Sequence, residues 1–172
     1  MQRRYAKTWW RGVCSTERER HHRRIVESNL KALQAIVLPI VGSCLCGQLS
    51  YVCMMSPVWS VNCHCRSCQK LSGAPYVSAF SVPADSFVAT GEAIAFQRLS
   101  EAGHVVTTTH CAACGSRVHA QSAGATHLMN VFATTMADAS NFVPISNAYL
   151  SEAALWITPP DAPFNFAKMP HR

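Results

Sequence analysis

Cys63-His64-Cys65-Arg66-Ser67-Cys68 places three cysteines within six residues, spaced C-x-C-x-x-C. Cys44-Leu45-Cys46 precedes it and Cys111-Ala112-Ala113-Cys114 follows it. Seven of the nine cysteines therefore fall into groups of two, three and two. Close-spaced thiolates are what a tetrahedral zinc requires, with Zn–S bonds of ~2.3 Å and sulfurs on one ion roughly 3.8 Å apart. Residues i and i+2 of a strand face the same side, so a bent C-x-C can aim both sulfurs at one ion. C-x-x-C does the same through a tight turn, and Gly115 directly after Cys114 suits such a turn.

Seven thiolates divide naturally as four plus three. A zinc on four cysteines is closed and structural, whereas a zinc on three protein ligands keeps an open position for water or substrate. The local triplet cannot supply four donors, so Cys63, Cys65 and Cys68 are expected to hold an open, catalytic Zn²⁺. The outer pairs, Cys44, Cys46, Cys111 and Cys114, would close a structural Zn²⁺, giving two ions per chain. A disulfide framework needs an oxidising compartment and an even cysteine count, which this chain lacks. Buried free cysteines are common as small hydrophobes, but not in three such groups. His64, between two ligands, points the other way and reads as a supporting or surface residue rather than a ligand. Cys53 reads as core and is the substitute ligand if the division is different.

These residues resemble a family. Gly42-Ser43-Cys44-Leu45-Cys46-Gly47, the central triplet with Ser72-Gly73-Ala74-Pro75, and Cys111-Ala112-Ala113-Cys114-Gly115-Ser116 look like the glutathione-dependent formaldehyde-activating enzyme family, which includes centromere protein V. The resemblance runs from about Gly42 to about Pro163. It implies a mainly β, Mss4-like (β-tent) fold of short antiparallel strands organised by zinc, one structural and one functional ion, and carbon–sulfur lyase chemistry. Three positions bear on how far it carries. His110 stands where the family usually has an aromatic residue such as Phe, and Asn147 stands where a His is common. Trp156 matches the late tryptophan. The two departures leave the ligands intact and touch the choice of substrate.

The net charge of +6 is local. Residues 1–31 hold nine Lys/Arg against Glu17, Glu19 and Glu27, while residues 32–172 hold six of each sign. Glu17 to Leu38 reads as a helix, with Ile25, Leu30, Leu33, Ile36 and Val37 near a 3.6 period, a Thr16 cap and a stop at Pro39. The expected division is a basic, helical extension over 1–39 and a zinc-binding domain over 40–172. Arg-rich surfaces can bind nucleic acid, yet charge runs alone more often mark a solvated face. Nucleic acid is thus not expected as a partner, residues 1–31 being the one segment that could engage it. Trp9-Trp10 has no reading, and Cys14 reads as a free thiol. The apolar stretch 32–41 before Cys44 mimics a lipoprotein signal, but Gln34 and Pro39 interrupt it and a lipidated Cys44 could not serve a zinc. No run reaches membrane-spanning length, so no membrane partner and a cytoplasmic location are expected.

Beyond Gly47 the pattern is of short strands. Leu49, Tyr51 and Cys53 alternate with polar residues. Tyr76–Val82 ends at Pro83. Phe87–Ala89 and Ala93–Gln97 flank a turn at Thr90-Gly91-Glu92. Val105–Thr109 leads into Cys111, Arg117–Gln121 returns from Cys114, and Leu128–Phe132 is another apolar strand. The proline-rich stretch Thr158–Pro163 is expected to be irregular. Phe80, Phe87, Phe96, Phe132 and Trp156 are the core candidates.

The chemistry implied by the resemblance joins a thiol, glutathione or one like it, to formaldehyde or another small aldehyde, as an S-(hydroxymethyl)glutathione synthase does. Zinc lowers the pKa of a coordinated thiol, and a zinc on three thiolates suits a thiol ligand better than water activation. Arg66, Lys70, Arg98 and Arg117 could attract substrate carboxylates. No Ser-His-Asp order, paired carboxylates, phosphate loop or HExxH occurs. The alternative is a non-catalytic, zinc-stabilised interaction module whose basic N-terminal segment binds nucleic acid.

Overall fold

The computed structural model describes residues 36–169, with Arg20, Arg23, Arg24, Glu27, Ser28 and Lys31 ahead of them. These residues build two β-sheets. The smaller has the order β1-β2-β5, from Ile40–Ser43, Ser50–Cys53 and Phe87–Thr90. The larger has the order β11-β10-β3-β4-β9-β8-β7-β6. Its strands are β3 (Trp59–Cys63), β4 (Val77–Pro83), β6 (Ala93–Leu99), β7 (Val105–Cys111), β8 (Arg117–Ser122), β9 (Leu128–Phe132), β10 (Ser146–Ala148) and β11 (Phe164–Asn165). A short helix, α1 (Arg66–Ser72), connects β3 to β4.

Period-2 alternation decides what each sheet buries. Ile40, Tyr51 and Cys53 turn inward from the small sheet and meet Phe80, Val82, Val118 and Val131 of the large one, with Leu49 and Ile145 filling between. A second, smaller cluster of Ala79, Ala120 and Phe132 lies under Val61, Val77 and Val106. In β4, Phe80 joins the first cluster and Ala79 the second, so this strand is packed on both faces.

Several expectations are corrected. Not every pairing is antiparallel: β10 runs parallel to both β3 and β11. The long connections entering and leaving β10 allow this, since parallel neighbours cannot be joined by a hairpin. β5 and β6 flank the expected turn but lie in different sheets. Gly91 turns the chain there at φ +122, pressed on the Gln48 carbonyl so closely that a Cβ would sit 1.9 Å from the oxygen. Phe96 and Trp156 are 56% and 77% exposed and are not core. Phe96 sits on the edge strand β6, where its ring meets His110 edge-on at 5.3 Å.

β1, β3, β10, β11 and α1 are additions to the expected elements. β3 escapes a hydrophobic-pattern search because its inward polar residues, Ser60 and Asn62, are fully buried and hydrogen-bonded. The expected helix over 17–38 stops short. Ile36 to Pro39 is irregular, as the restriction on residues before proline would have it, and Ile36 packs into the main core at 7% exposure. Arg20, Arg23, Arg24, Glu27, Ser28 and Lys31 are helical, with Arg23 and Glu27 paired at 3.6 Å. Thr16, Trp9-Trp10 and Cys14 lie outside the described residues.

Candidate functional site

The structure gathers the outer cysteine pairs. Cys44 and Cys46 lie just beyond β1; Cys111 ends β7 and Cys114 lies in the turn before β8. Their four sulfurs fall within 4.8 Å of one another, with Cys44–Cys46 at 3.5 Å and Cys46–Cys111 at 3.7 Å. Backbone geometry makes each knuckle. The Gly47 N–H closes the first turn on Cys44 O at 3.1 Å, and the Gly115 N–H closes the second on Cys111 O at 3.0 Å. Gly115 takes φ +72, a conformation open to glycine without strain. The Leu49 N–H donates to Cys44 Sγ at 3.2 Å. The Ser116 hydroxyl and N–H, with other neighbours, push Cys114 down to about 5. The Leu45 N–H donates to Ser116 Oγ at 3.0 Å and ties the knuckles together. This cluster joins the two sheets; Cys44 and Cys111 belong to the main core, and Cys114 packs against it.

The central triplet forms a second cluster. Cys63 ends β3, Cys65 caps the N-terminus of α1, and Cys68 lies in its first turn. The three sulfurs lie within 4.8 Å of one another. The Cys68 N–H donates to Cys65 Sγ at 3.4 Å, so the helix start itself aims two of the sulfurs. Hydrogen bonds from the Cys63 and Cys68 thiols push Cys65 down to about 2. The same bond to Cys65, reinforced by Cys68 and by burial, pushes Cys63 well up. Soft donors at these separations fit zinc in both clusters. Neither Cys53 nor His64 joins either cluster. Cys53 is core, as expected, and burial pushes its thiol up to about 12.

His64 is not a surface residue; it is fully buried at 0% exposure, its ring 5.0 Å from that of Tyr76. Burial holds its pKa below the ordinary histidine value. Around it lies a polar network not anticipated from sequence. Asn147 accepts from Asn62 Nδ2 at 3.1 Å and donates Nδ2 to Pro160 O at 2.7 Å and Asn165 Oδ1 at 2.9 Å. Ser78 donates to Asn62 Oδ1 at 2.8 Å. These bonds tie β4, β3, β10 and β11 side by side behind the triplet. Asn147, which stands where a His is common in the family, is buried with its side chain engaged in these hydrogen bonds. Gln69 does similar work for α1, donating Nε2 to His64 O at 2.5 Å and to Glu152 O at 2.8 Å. Glu152 accepts from the Arg66 N–H at 2.8 Å at the helix start, where a carboxylate is favoured.

Of the four basic residues considered for substrate, Arg66 donates to Gln69 Oε1 and Lys70 is exposed. Arg98 donates Nη1 to Leu99 O at 3.3 Å. Arg117 alone has two guanidinium nitrogens, Nε and Nη1, buried without a partner, its Cζ stacked 4.0 Å above the Phe132 ring. Tyr149, one residue beyond the register partner of Cys63, holds φ +60, uncommon outside glycine.

With the two clusters in place, the comparison with known families is decisive. The model of the glutathione-dependent formaldehyde-activating enzyme family matches residues 39–152. The chain belongs to that family. No curated protein matches it. A crystal structure of a Rhodobacter sphaeroides protein is similar at 14% identity and a TM-score of 0.47, covering 57% of this chain and 88% of that one. For this member of the formaldehyde-activating family, the two clusters that could hold metal are Cys44, Cys46, Cys111 and Cys114, and Cys63, Cys65 and Cys68. Among the described residues no helix is long and apolar enough to cross a membrane.

Proposed function

We propose that the protein is a zinc-dependent enzyme of carbon–sulfur lyase type, joining glutathione or a similar thiol to formaldehyde or another small aldehyde. In this reading Cys44, Cys46, Cys111 and Cys114 hold a structural Zn²⁺, and Cys63, Cys65 and Cys68 hold the functional one. The observation that carries it is the donor count at the central triplet: three sulfurs converge, and no fourth His, Cys, Asp or Glu among the described residues joins them. An ion there would keep a bound thiol ionised at neutral pH.

The protein groups do the rest. Cys63, on the end of a packed strand, and Cys65 and Cys68, on a capped helix, present three donors from rigid elements. The Asn62–Asn147 bond fixes β3 to β10, and Gln69 fixes the helix to the end of β3. Zinc-edge X-ray absorption, or visible spectra of the cobalt-substituted protein, tests the reading. An added thiol should bring a further sulfur to one site of the two. A spectrum already showing four protein donors at both sites, unchanged by glutathione, overturns it in favour of a non-catalytic interaction module.

A further inference from the structure

Arg117 opens β8 at a break in register. Thr109 pairs with His119 and His110 with Arg117, which leaves Val118 as an extra residue on β8. Such a bulge changes the face toward which the following side chain points. The packing shows the change. Val118 lies in the main core, and His119 meets Phe87 there at 4.8 Å. Ala120 belongs to the second cluster, on the other face, with Phe132. Without the bulge, alternation would send Arg117 the way of His119. With it, Arg117 turns to the Phe132 face and lies 4.0 Å over that ring. Val61 packs on the same cluster, and Cys63, two residues further along β3, faces the same side.

The guanidinium therefore reaches the central triplet. Its charge acts on Cys68 and, less strongly, on Cys63. No carboxylate pairs with it among the described residues, whose ion pairs join Lys168 to Glu101 and Glu152, and Arg23 to Glu27. Nε and Nη1 are enclosed without a hydrogen-bond partner, the thiol of Cys68 being the group that the guanidinium meets in the triplet. A native structure rarely leaves buried donors so, and a cation enclosed without an acid is costly unless something anionic comes to it. Three thiolates on one Zn²⁺ would leave a net charge of −1 on that centre, which Arg117 balances in part. The N–H on Nε and the two on Nη1 remain for a ligand.

We infer that Arg117 is a ligand-binding residue that holds an anionic oxygen one or two atoms from the sulfur of the incoming thiol. The inference rests on the function proposed above and adds a residue to it. In that reaction the thiol sulfur forms a bond to the aldehyde carbon as the carbonyl π pair moves onto oxygen. The oxygen then takes back the proton released when the thiol ionised, so thiol plus aldehyde gives the S-hydroxymethyl adduct with nothing left over. The oxygen that gains the pair sits on the carbon bonded to sulfur. Donors beside Cys68 meet that oxygen, not the remote carboxylates of a tripeptide. Planar guanidinium donors suit such an oxyanion.

Calorimetric binding of two small thiols to the zinc-loaded protein tests this. Thioglycolate carries a carboxylate next to its CH₂–S group, and methyl thioglycolate carries the neutral ester. The wild type should bind thioglycolate about tenfold to a hundredfold more tightly, the range expected of a hydrogen bond to a charged group. Arg117→Gln should lose that preference while keeping ester binding, zinc content and melting temperature; Arg117→Lys should restore part of it. If Arg117→Gln does not fold, Arg117→Met, which retains an apolar stem over Phe132, carries the same comparison. A preference that survives in these variants, or is missing from the wild type, overturns the role of Arg117 alone. A wild type that binds neither thiol overturns the proposed function, and this inference with it.

Discussion

The two cysteine clusters contain the same donor atom, all within 4.8 Å of one another in each, yet they are built differently. The four-thiol cluster draws on pairs 65 residues apart, Cys46 and Cys111 meeting at 3.7 Å. It stitches the small sheet to the large one. The three-thiol cluster comes from one strand end and the helix that follows it. Exposure does not separate them: Cys46 is exposed, whereas Cys63 and Cys65 are half-buried and Cys68 is buried. What separates them is donor number and surroundings. The first cluster has four sulfurs set in an apolar core; the second has three, set beside buried polar groups and an unpaired arginine. The two clusters thus differ in how many donors converge, not in how far water can reach.

The largest expected effect tests the structural half of that contrast. Cys46→Ser should abolish cooperative folding. A structural zinc contributes ~10–16 kcal/mol in small model sites, comparable with the whole ~5–15 kcal/mol stability of a domain. Cys46 is exposed, so no cavity complicates the result. Circular dichroism and thermal melts read it, and a variant melting like the wild type would end the distinction. Cys65→Ser should remain folded, with one metal ion fewer by elemental analysis and no response to added thiol. Equal loss of structure in the two variants would show that both clusters are structural.

The polar surroundings give a smaller effect. Asn147→Ala leaves Asn62 Nδ2 buried without its acceptor, at a cost of about 2 kcal/mol. Denaturant unfolding should show this with the four-thiol metal retained. An unchanged midpoint would mean the network does not hold β3 and β10 together. The smallest effect lies at the domain edge. A chain starting at Ile36 should melt like the full-length protein, whereas one starting at Leu38 loses the buried Ile36 side chain and about 1.5 kcal/mol. Equal melting of the two truncations would place Ile36 outside the cooperative unit.

Much of the candidate site can be read from the chain before any fold is known. Cys63, Cys65 and Cys68 fall together because C-x-C-x-x-C is a local geometry. The outer pairs are assigned to each other by elimination, since the triplet cannot provide four donors. Phe80 and Phe132 are core because their strands, β4 and β9, lie inside the large sheet and are buried on both faces. Phe96 and Trp156 mislead because aromatic character alone does not say whether a strand lies at an edge or a segment lies in a turn. Asn62, Ser60 and Asn147 are hidden for the opposite reason. Polar residues are expected outside, and only the Asn62–Asn147 bond and the bonds of Ser60 to the backbone of Val143 and Ile145 permit burial.

The sequence by itself determined the thiol count and grouping, the glycine that closes the second knuckle, and the β character of the domain. These depend on spacings of a few residues, which metal ligation and strand pleating impose directly. Tertiary structure decided the rest: that β5 and β6 part between two sheets, that β10 runs parallel to β3, that His64 is enclosed, and that Arg117 turns over the Phe132 ring. The last of these turns on one extra residue in β8. A side chain's face depends on strand register, and register is set by pairing between segments far apart in the chain.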